Sequence, residues 1–169
     1  MNQHLYKKLE QEATIIQLKI FDVKADGNCF YHSVSHMLWY NYKDKETGPK
    51  IRERLVEYII SNYQKYKDRF ESVYIRDSFE NYLLQLSNLE WADHFAITAT
   101  AEMLDITIKI LKDEGNWLII NGNKMREIKI GHIAELHYVA LQKIESIGYQ
   151  TRSKSAKKQK LTVPLEFFF

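Results

Sequence analysis

The sequence predicts an α+β fold with helices flanking a small central β-sheet. Two observations about periodicity and one about order carry this. From residue 29 to residue 104 the apolar residues recur mainly at helical spacing, whereas from 106 to 142 they alternate with period two between turn signals. The two kinds of stretch are segregated along the chain rather than alternating, which argues against regular βαβ repeats. No internal repeat is present.

The elements follow in order. Residues 5–18 form a short amphipathic helix through Leu5, Leu9, Ala13 and Ile16. Ile20-Phe21-Asp22-Val23 is a brief extended segment. It leads into Asp26-Gly27-Asn28, three residue types that favour a tight loop. A helix then runs from Cys29 to about Tyr40 on the apolar spacing Phe30, Val34, Met37, Leu38. Residues 41–48 are a polar connection. Pro49 suits the first turn of a second helix, whose stripe is Ile51, Leu55, Ile59 and Tyr63. Asp77 or Ser78 caps a third helix carrying Phe79, Tyr82, Leu83 and Leu86. A fourth spans Asp93 to Leu104, where Ala96, Ala99 and Ala101 allow close packing.

The extended half begins with Ile106–Ile110 and Trp117–Ile120, a hairpin about the turn Asp113-Glu114-Gly115-Asn116. After the turn signal Asn121-Gly122-Asn123 come a short strand at Glu127–Ile130 and a last one at Leu136–Gln142.

With 169 residues, 45% apolar and 27% charged, the chain suits one domain with a true core. The formal charge of +2 is unevenly spread: residues 151–169 hold five Lys and Arg against one Glu, so the rest is weakly acidic. That body argues against a dedicated nucleic-acid surface. The expected organisation is an N-terminal helical extension at 1–17, a catalytic body at 18–145 and a basic, flexible tail at 146–169 with an aromatic end. The tail's charge could serve as a nuclear-localisation or anionic-surface element, although such runs are more often solvated linkers. A single cysteine makes no internal disulfide, and the first twelve residues lack an apolar leader. No apolar run approaches the roughly 20 residues that cross a bilayer. A soluble, intracellular monomer is expected, cytoplasmic, nuclear or delivered into a host cell.

The chemistry centres on Cys29. A thiol at a helix start meets unpaired backbone N–H groups and the positive end of the helix dipole, which favour the thiolate. A thiol nucleophile needs a base, and histidine serves best near neutral pH. Of six histidines, His137 lies in the strand Leu136-His137-Tyr138-Val139-Ala140-Leu141, whose alternation sends His137, Val139 and Leu141 to one face. Blander readings compete. Cys29 could be a buried structural cysteine. Cys29, His32 and His36 stand one helical turn apart and could ligate a metal, but no fourth ligand has a convincing place. Trp91 is most simply a core aromatic.

At these residues the sequence resembles a known family. Asp26-Gly27-Asn28-Cys29-Phe30-Tyr31 is similar to the nucleophile box of the ovarian-tumour (OTU) family of papain-like cysteine proteases, and His137-Tyr138 to its histidine box. Trp91-Ala92-Asp93-His94, Ala99, Ala101 and Ile106-Thr107-Ile108 resemble the family's middle block, so the likeness covers about residues 18–144. The resemblance implies a papain-like OTU fold and a deubiquitinase that hydrolyses the bond between the ubiquitin C-terminal glycine and a lysine. Ubiquitin, polyubiquitin or a ubiquitin-like modifier is the implied partner, and no metal or organic cofactor is implied. Cys29 would be the nucleophile and His137 the base. Asp26 would shape the loop whose N–H groups, through Gly27 and Asn28 to Cys29, hold the oxyanion, at about 3 kcal/mol per donor.

One position departs from the pattern. Many members place Asp or Asn two residues after the histidine to orient its ring, and here that residue is Val139, which accepts no hydrogen bond. Asp22 and Glu135 are the candidate orienters, and a Cys/His dyad without one is the alternative. Two other functions stay open at this point: an inactive ubiquitin-binding relative, and a viral or mobile-element protease that processes its own polyprotein.

Overall fold

A computed structural model describes residues 3–74, 78–88, 91–134 and 136–145; Asp77, Glu135 and the basic tail from Ser146 lie outside them. Among these described residues, six helices and five strands follow in the order α1 (Gln3–Ile15), β1 (Leu18–Phe21), α2 (Cys29–Tyr42), α3 (Gly48–Ser61), α4 (Tyr63–Glu71), α5 (Phe79–Ser87), α6 (His94–Leu104), β2 (Ile106–Lys112), β3 (Trp117–Ile120), β4 (Arg126–Ile133) and β5 (His137–Lys143). The strands form one sheet in the order β1-β5-β4-β2-β3. β2 and β4 are parallel, and every other pairing is antiparallel. None of the described helices is long and apolar enough to cross a membrane.

Strand alternation gives the sheet two apolar faces, and different helices cover them. On one face Ile106, Ile108, Ile128, Ile130, Tyr138 and Ala140 pack with Phe30, Val34, Met37 and Leu38 of α2, and with the apolar stripes of α3 and α6. Ala96, Ala99 and Ala101 are all buried, as their small size predicts. On the other face Leu9 and Ala13 of α1 lie with Leu18, Leu111, Ile133, Val139 and Leu141. Burying a leucine such as Leu9 contributes roughly 1.5–3 kcal/mol, so α1 is a structural part of the sheet's second layer.

The capping expectation holds at Ser78, and Asp93, read from the sequence only as the start of its helix, caps α6 in the same way. Ser78 Oγ accepts the Asn81 N–H at 3.3 Å, and Asp93 Oδ1 accepts the Ala96 N–H at 2.8 Å. Three differences from the sequence reading have physical causes. α4 was not expected: its sequence is mostly polar, and only Tyr66 and Phe70 are buried. Tyr63 therefore opens α4 instead of extending the stripe of α3, because the helix stops at Asn62, whose φ of −118° leaves the helical range. Ile16 does not join the α1 stripe. Helix α1 ends one residue earlier, and Gln17 turns the chain with φ +59° into β1.

Candidate active site

β1 and β5 are antiparallel neighbours, with Phe21 opposite Ala140. Continued by one residue, that register brings Asp22 alongside Val139, on the face that His137 shares. The chain then loops through residues 22–28 and enters α2 at Cys29. α2 packs on β4 and β5, so its first residue lies near the start of β5, where His137 stands. Local sequence thus sets up the juxtaposition: a short edge strand, a tight polar loop, and a helix that returns across the same two strands.

Cys29 and His137 are both buried. His137 Nε2 lies 2.9 Å from Asp22 Oδ1. A carboxylate can only accept, so Nε2 carries the proton of this bond and Nδ1 is the nitrogen left for the thiol. The neighbouring Cys29 thiol is the largest influence on the ring. It raises the His137 pKa above the usual value; burial opposes this, and the hydrogen bond to Asp22 reinforces it. Asp22 is itself steadied by the Val23 N–H, which donates to the same Oδ1 at 3.0 Å. Of the two candidate orienters, Asp22 is in contact with His137. Glu135 lies outside the described residues.

Asp26 organises the loop in front of Cys29. Its Oδ1 accepts the Asn28 N–H at 2.8 Å, and Lys24 Nζ lies 3.1 Å from Oδ2. Burial pushes the Asp26 carboxyl up, but the Asn28 N–H, Lys24 and His32 together outweigh it and hold the group below its ordinary range. The loop N–H groups can be followed one by one. Asp26 donates to the Lys24 carbonyl, Asn28 to the Asp26 carboxylate, and Cys29 to the Asp26 carbonyl at 3.0 Å. Gly27 N–H has no acceptor among the described residues.

The histidines of α2 have separate surroundings. His32 Nε2 is buried 3.3 Å from Asp26 Oδ1, close enough for attraction when protonated but not aligned as a hydrogen bond. His36 stacks on Phe21 with ring centres 3.7 Å apart, pairs with Gln142 at 2.6 Å, and has its pKa lowered by burial. Among the described residues no group of three or more His, Cys, Asp or Glu is placed to hold a metal ion.

Two site features escaped the sequence reading. Trp91, expected in the core, is 54% exposed. Together with Leu136 it lines two clefts, one of about 270 Å³ that includes Asp26, Gly27 and His137, and one of about 350 Å³ that includes Cys29, Asp93 and Tyr138. Nothing in the residues around Trp91 reveals its exposure, because a tryptophan is equally suited to a core. Arg52 is the second. It is buried, and it binds the Gly27 carbonyl through Nη1 at 2.9 Å and the Leu86 carbonyl through Nε at 2.6 Å. Its spacing carried a signal: positions 52, 55 and 59 fall on one helical face, so Arg52 shares the apolar stripe of Leu55 and Ile59.

The comparisons with known proteins agree with this geometry. A ubiquitin thioesterase of Schizosaccharomyces pombe, otu2, is 26% identical over 129 residues, covering 72% of this chain and 40% of the relative. An OVARIAN TUMOR DOMAIN-containing deubiquitinating enzyme 9 of Arabidopsis thaliana is 24% identical over 139 residues, covering 79% and 38%. The chain thus spans about two fifths of the length of these relatives. In structure it is similar to the OTUD1 OTU domain, with a TM-score of 0.67, 22% identity and coverage of 84% of this chain and 99% of that one. The family described as OTU-like cysteine protease matches residues 24–141, a span that opens in the loop before Cys29 and closes on the strand that bears His137. By that match, which takes in well over half of its residues, the chain belongs to the OTU-like cysteine protease family.

Proposed function

We propose that this chain is a cysteine-type deubiquitinase that cleaves the isopeptide bond at the ubiquitin C-terminus through a thioester. The observation that carries the reading is the line from the Cys29 thiol through His137 to Asp22, with His137 Nε2 held 2.9 Å from the carboxylate. The choice of ubiquitin rests on the relatives named as ubiquitin thioesterases and deubiquitinating enzymes, and on similar OTU structures described as bound to ubiquitin.

The reaction follows from the roles each group can take. Cys29 gives its proton to His137 Nδ1, and the thiolate attacks the glycine carbonyl. The negative charge that develops on that oxygen needs fixed donors, and Gly27 N–H is the loop donor without a competing acceptor. His137 then passes its proton to the departing lysine amine, leaving a thioester on Cys29. A water, deprotonated by His137, attacks that thioester and releases the ubiquitin carboxylate. Throughout, Asp22 fixes the tautomer with the proton on Nε2 and stabilises the imidazolium. Asp26 acts through the loop and does not touch the reacting atoms. No step calls for a metal or an organic cofactor. The catalytic unit is assigned to residues 18–145, with 1–17 covering the second face of its sheet.

Ubiquitin bearing a C-terminal electrophile tests the proposal. A covalent adduct on Cys29 that is lost in Cys29→Ala supports it. No adduct with well-folded protein overturns it. The same assay with ubiquitin-like modifiers reads the substrate class.

A further inference from the structure

Among the described residues, Arg52 is the one Lys, Arg, Asp or Glu that is buried, at 4% exposed. Taking a guanidinium out of water costs several kcal/mol unless its N–H groups are satisfied. The partners it has found therefore indicate what the arginine is for. Nη1 donates to the Gly27 carbonyl at 2.9 Å and reaches Asn28 Oδ1 at 3.3 Å, while Nε donates to the Leu86 carbonyl at 2.6 Å. Cζ lies 5.2 Å from the centre of the Tyr31 ring.

The Gly27 carbonyl and the Asn28 N–H are the two ends of one peptide plane. Arg52 holds the carbonyl end, and the Asp26 carboxylate holds the N–H end at 2.8 Å. Rotation of that plane would break both bonds at once. The planes on either side carry the N–H of Gly27, the loop donor without a competing acceptor among the described residues, and the N–H of Cys29, which donates to the Asp26 carbonyl. Holding the middle plane narrows what its neighbours can do, because each is joined to it through the φ and ψ of one residue, Gly27 or Asn28. Gly27 is the most permissive residue type at such a joint and the one most in need of an external hold.

We propose that Arg52 is a positioning residue for acyl transfer, setting the oxyanion loop through the Gly27–Asn28 peptide and tying it to the last turn of α5. The proposal rests on the cysteine-protease reading above. Lysine offers one point charge where arginine offers a rigid fork, so Lys at 52 cannot hold Gly27 and Leu86 together.

The test compares the full-length chain with its Arg52→Lys and Asn28→Ala variants. Acyl transfer is read as kcat and KM on ubiquitin carrying a C-terminal amide-linked fluorophore, and on p-nitrophenyl acetate. Thiol reactivity is read as the rate of Cys29 alkylation by iodoacetamide, which forms a C–S bond, expels iodide and builds no oxyanion. Arg52→Lys is expected to lower kcat about 10- to 100-fold, with KM and the alkylation rate changed less than about threefold. Asn28→Ala, which removes one acceptor of the clamp, is expected to show a smaller loss with the same split. The proposal is overturned if Arg52→Lys keeps kcat within about threefold, or if alkylation falls in step with kcat. Should Arg52→Lys fail to fold, Asn28→Ala decides by the same criterion. A wild type that turns over the nitrophenyl ester but no ubiquitin substrate overturns the substrate class alone, and the split is then read on the ester. A wild type inert to both overturns both readings.

Discussion

Gly131 and Val139 face each other across β4 and β5, and Leu9 of α1 closes over the pair. A Cβ on Gly131 would stand 2.8 Å from Val139 Cγ2 and 2.7 Å from Leu9 Cδ2. The position two residues beyond His137 is thus a sealed apolar contact with no room for a solvated carboxylate. The acid that orients the ring comes instead from the neighbouring strand, where Asp22 follows β1 alongside Val139. Moving the acid one strand sideways keeps it on the histidine's face while leaving Val139 to anchor α1.

Removing that acid should impair catalysis without abolishing it. A hydrogen bond to a charged partner is worth about 1.5–3 kcal/mol, so Asp22→Ala should lower kcat/KM by roughly 10- to 150-fold. The pH profile should move as well. Asp22 helps to raise the His137 pKa, after the larger effect of Cys29. Its loss lowers that pKa, and the alkaline limb of kcat/KM should shift to lower pH. Stability follows the same sign. A histidine raised on folding stabilises fully below its ordinary pKa and loses the effect as pH rises through the folded value. Asp22→Ala should therefore flatten the decline in stability above about pH 6.5. A profile and activity unchanged from wild type would exclude Asp22 as the orienter.

Restoring the usual residue should not help. Val139→Asp would place a carboxylate beneath Leu9 and beside Asp22, an unpaired buried charge that costs about 3 kcal/mol or more. Urea unfolding should show that loss, and the double variant with Asp22→Ala should stay as slow as Asp22→Ala alone. Recovery of activity in the double variant would mean that the second face of the sheet tolerates water.

Much of this was legible in the residues themselves. Five of the six helices and all five strands follow from apolar periodicity, and the loop chemistry at Asp26-Gly27-Asn28 marks the start of α2. α4 was not legible, because a nine-residue polar helix with two buried aromatics carries too little pattern. Cys29, His137 and Asp22 could each be named, but which acid meets the histidine depends on strand register, which sequence spacing does not fix. Arg52 was passed over although its spacing places it on the stripe of Leu55 and Ile59, and Trp91 was misread because a tryptophan reads as buried unless the neighbouring layers are known.

Because α1 supplies the cover over Val139, the N-terminal helix should be inseparable from the fold. Leu9 is fully buried. Leu9→Ala should destabilise the protein by about 2–5 kcal/mol, read as a lower urea midpoint with little change in slope. Below the transition its kcat should stay near wild type, since Leu9 lies away from Cys29. If Leu9→Ala left the midpoint where it was, α1 would be a dispensable attachment.

Asp26 should show its role through the choice of substitute. Asn at 26 keeps an oxygen for the Asn28 N–H and loses only the charge facing Lys24 and His32, whereas Ala loses the acceptor. Asp26→Ala should reduce kcat by about tenfold, the effect of one neutralised loop hydrogen bond, and Asp26→Asn less. The folded carboxyl is held below its ordinary range. Its stabilising effect is therefore present above the usual unfolded value near 3.9 and lost as pH falls through the folded value. Asp26→Asn should remove that part of the acid sensitivity in a melting series below about pH 4. Equal losses of kcat in the two variants would point to charge rather than loop geometry.

Trp91 offers the clearest separation of binding from chemistry. Its half-exposed ring lines both clefts beside the Cys29–His137 pair, and Leu136, also exposed, accompanies it in each. A large aromatic surface kept in water at such a place suits contact with the extended C-terminal segment of a protein substrate, since burying an aromatic contributes roughly 1.5–3 kcal/mol. Trp91→Ala should accordingly raise KM for a ubiquitin substrate about tenfold or more, with kcat largely retained. Turnover of p-nitrophenyl acetate, which has no such segment, should be unaffected. A fall in kcat on both substrates would instead place the ring among the groups that hold the nucleophile and base in line, and would move Trp91 from substrate contact to support of the site.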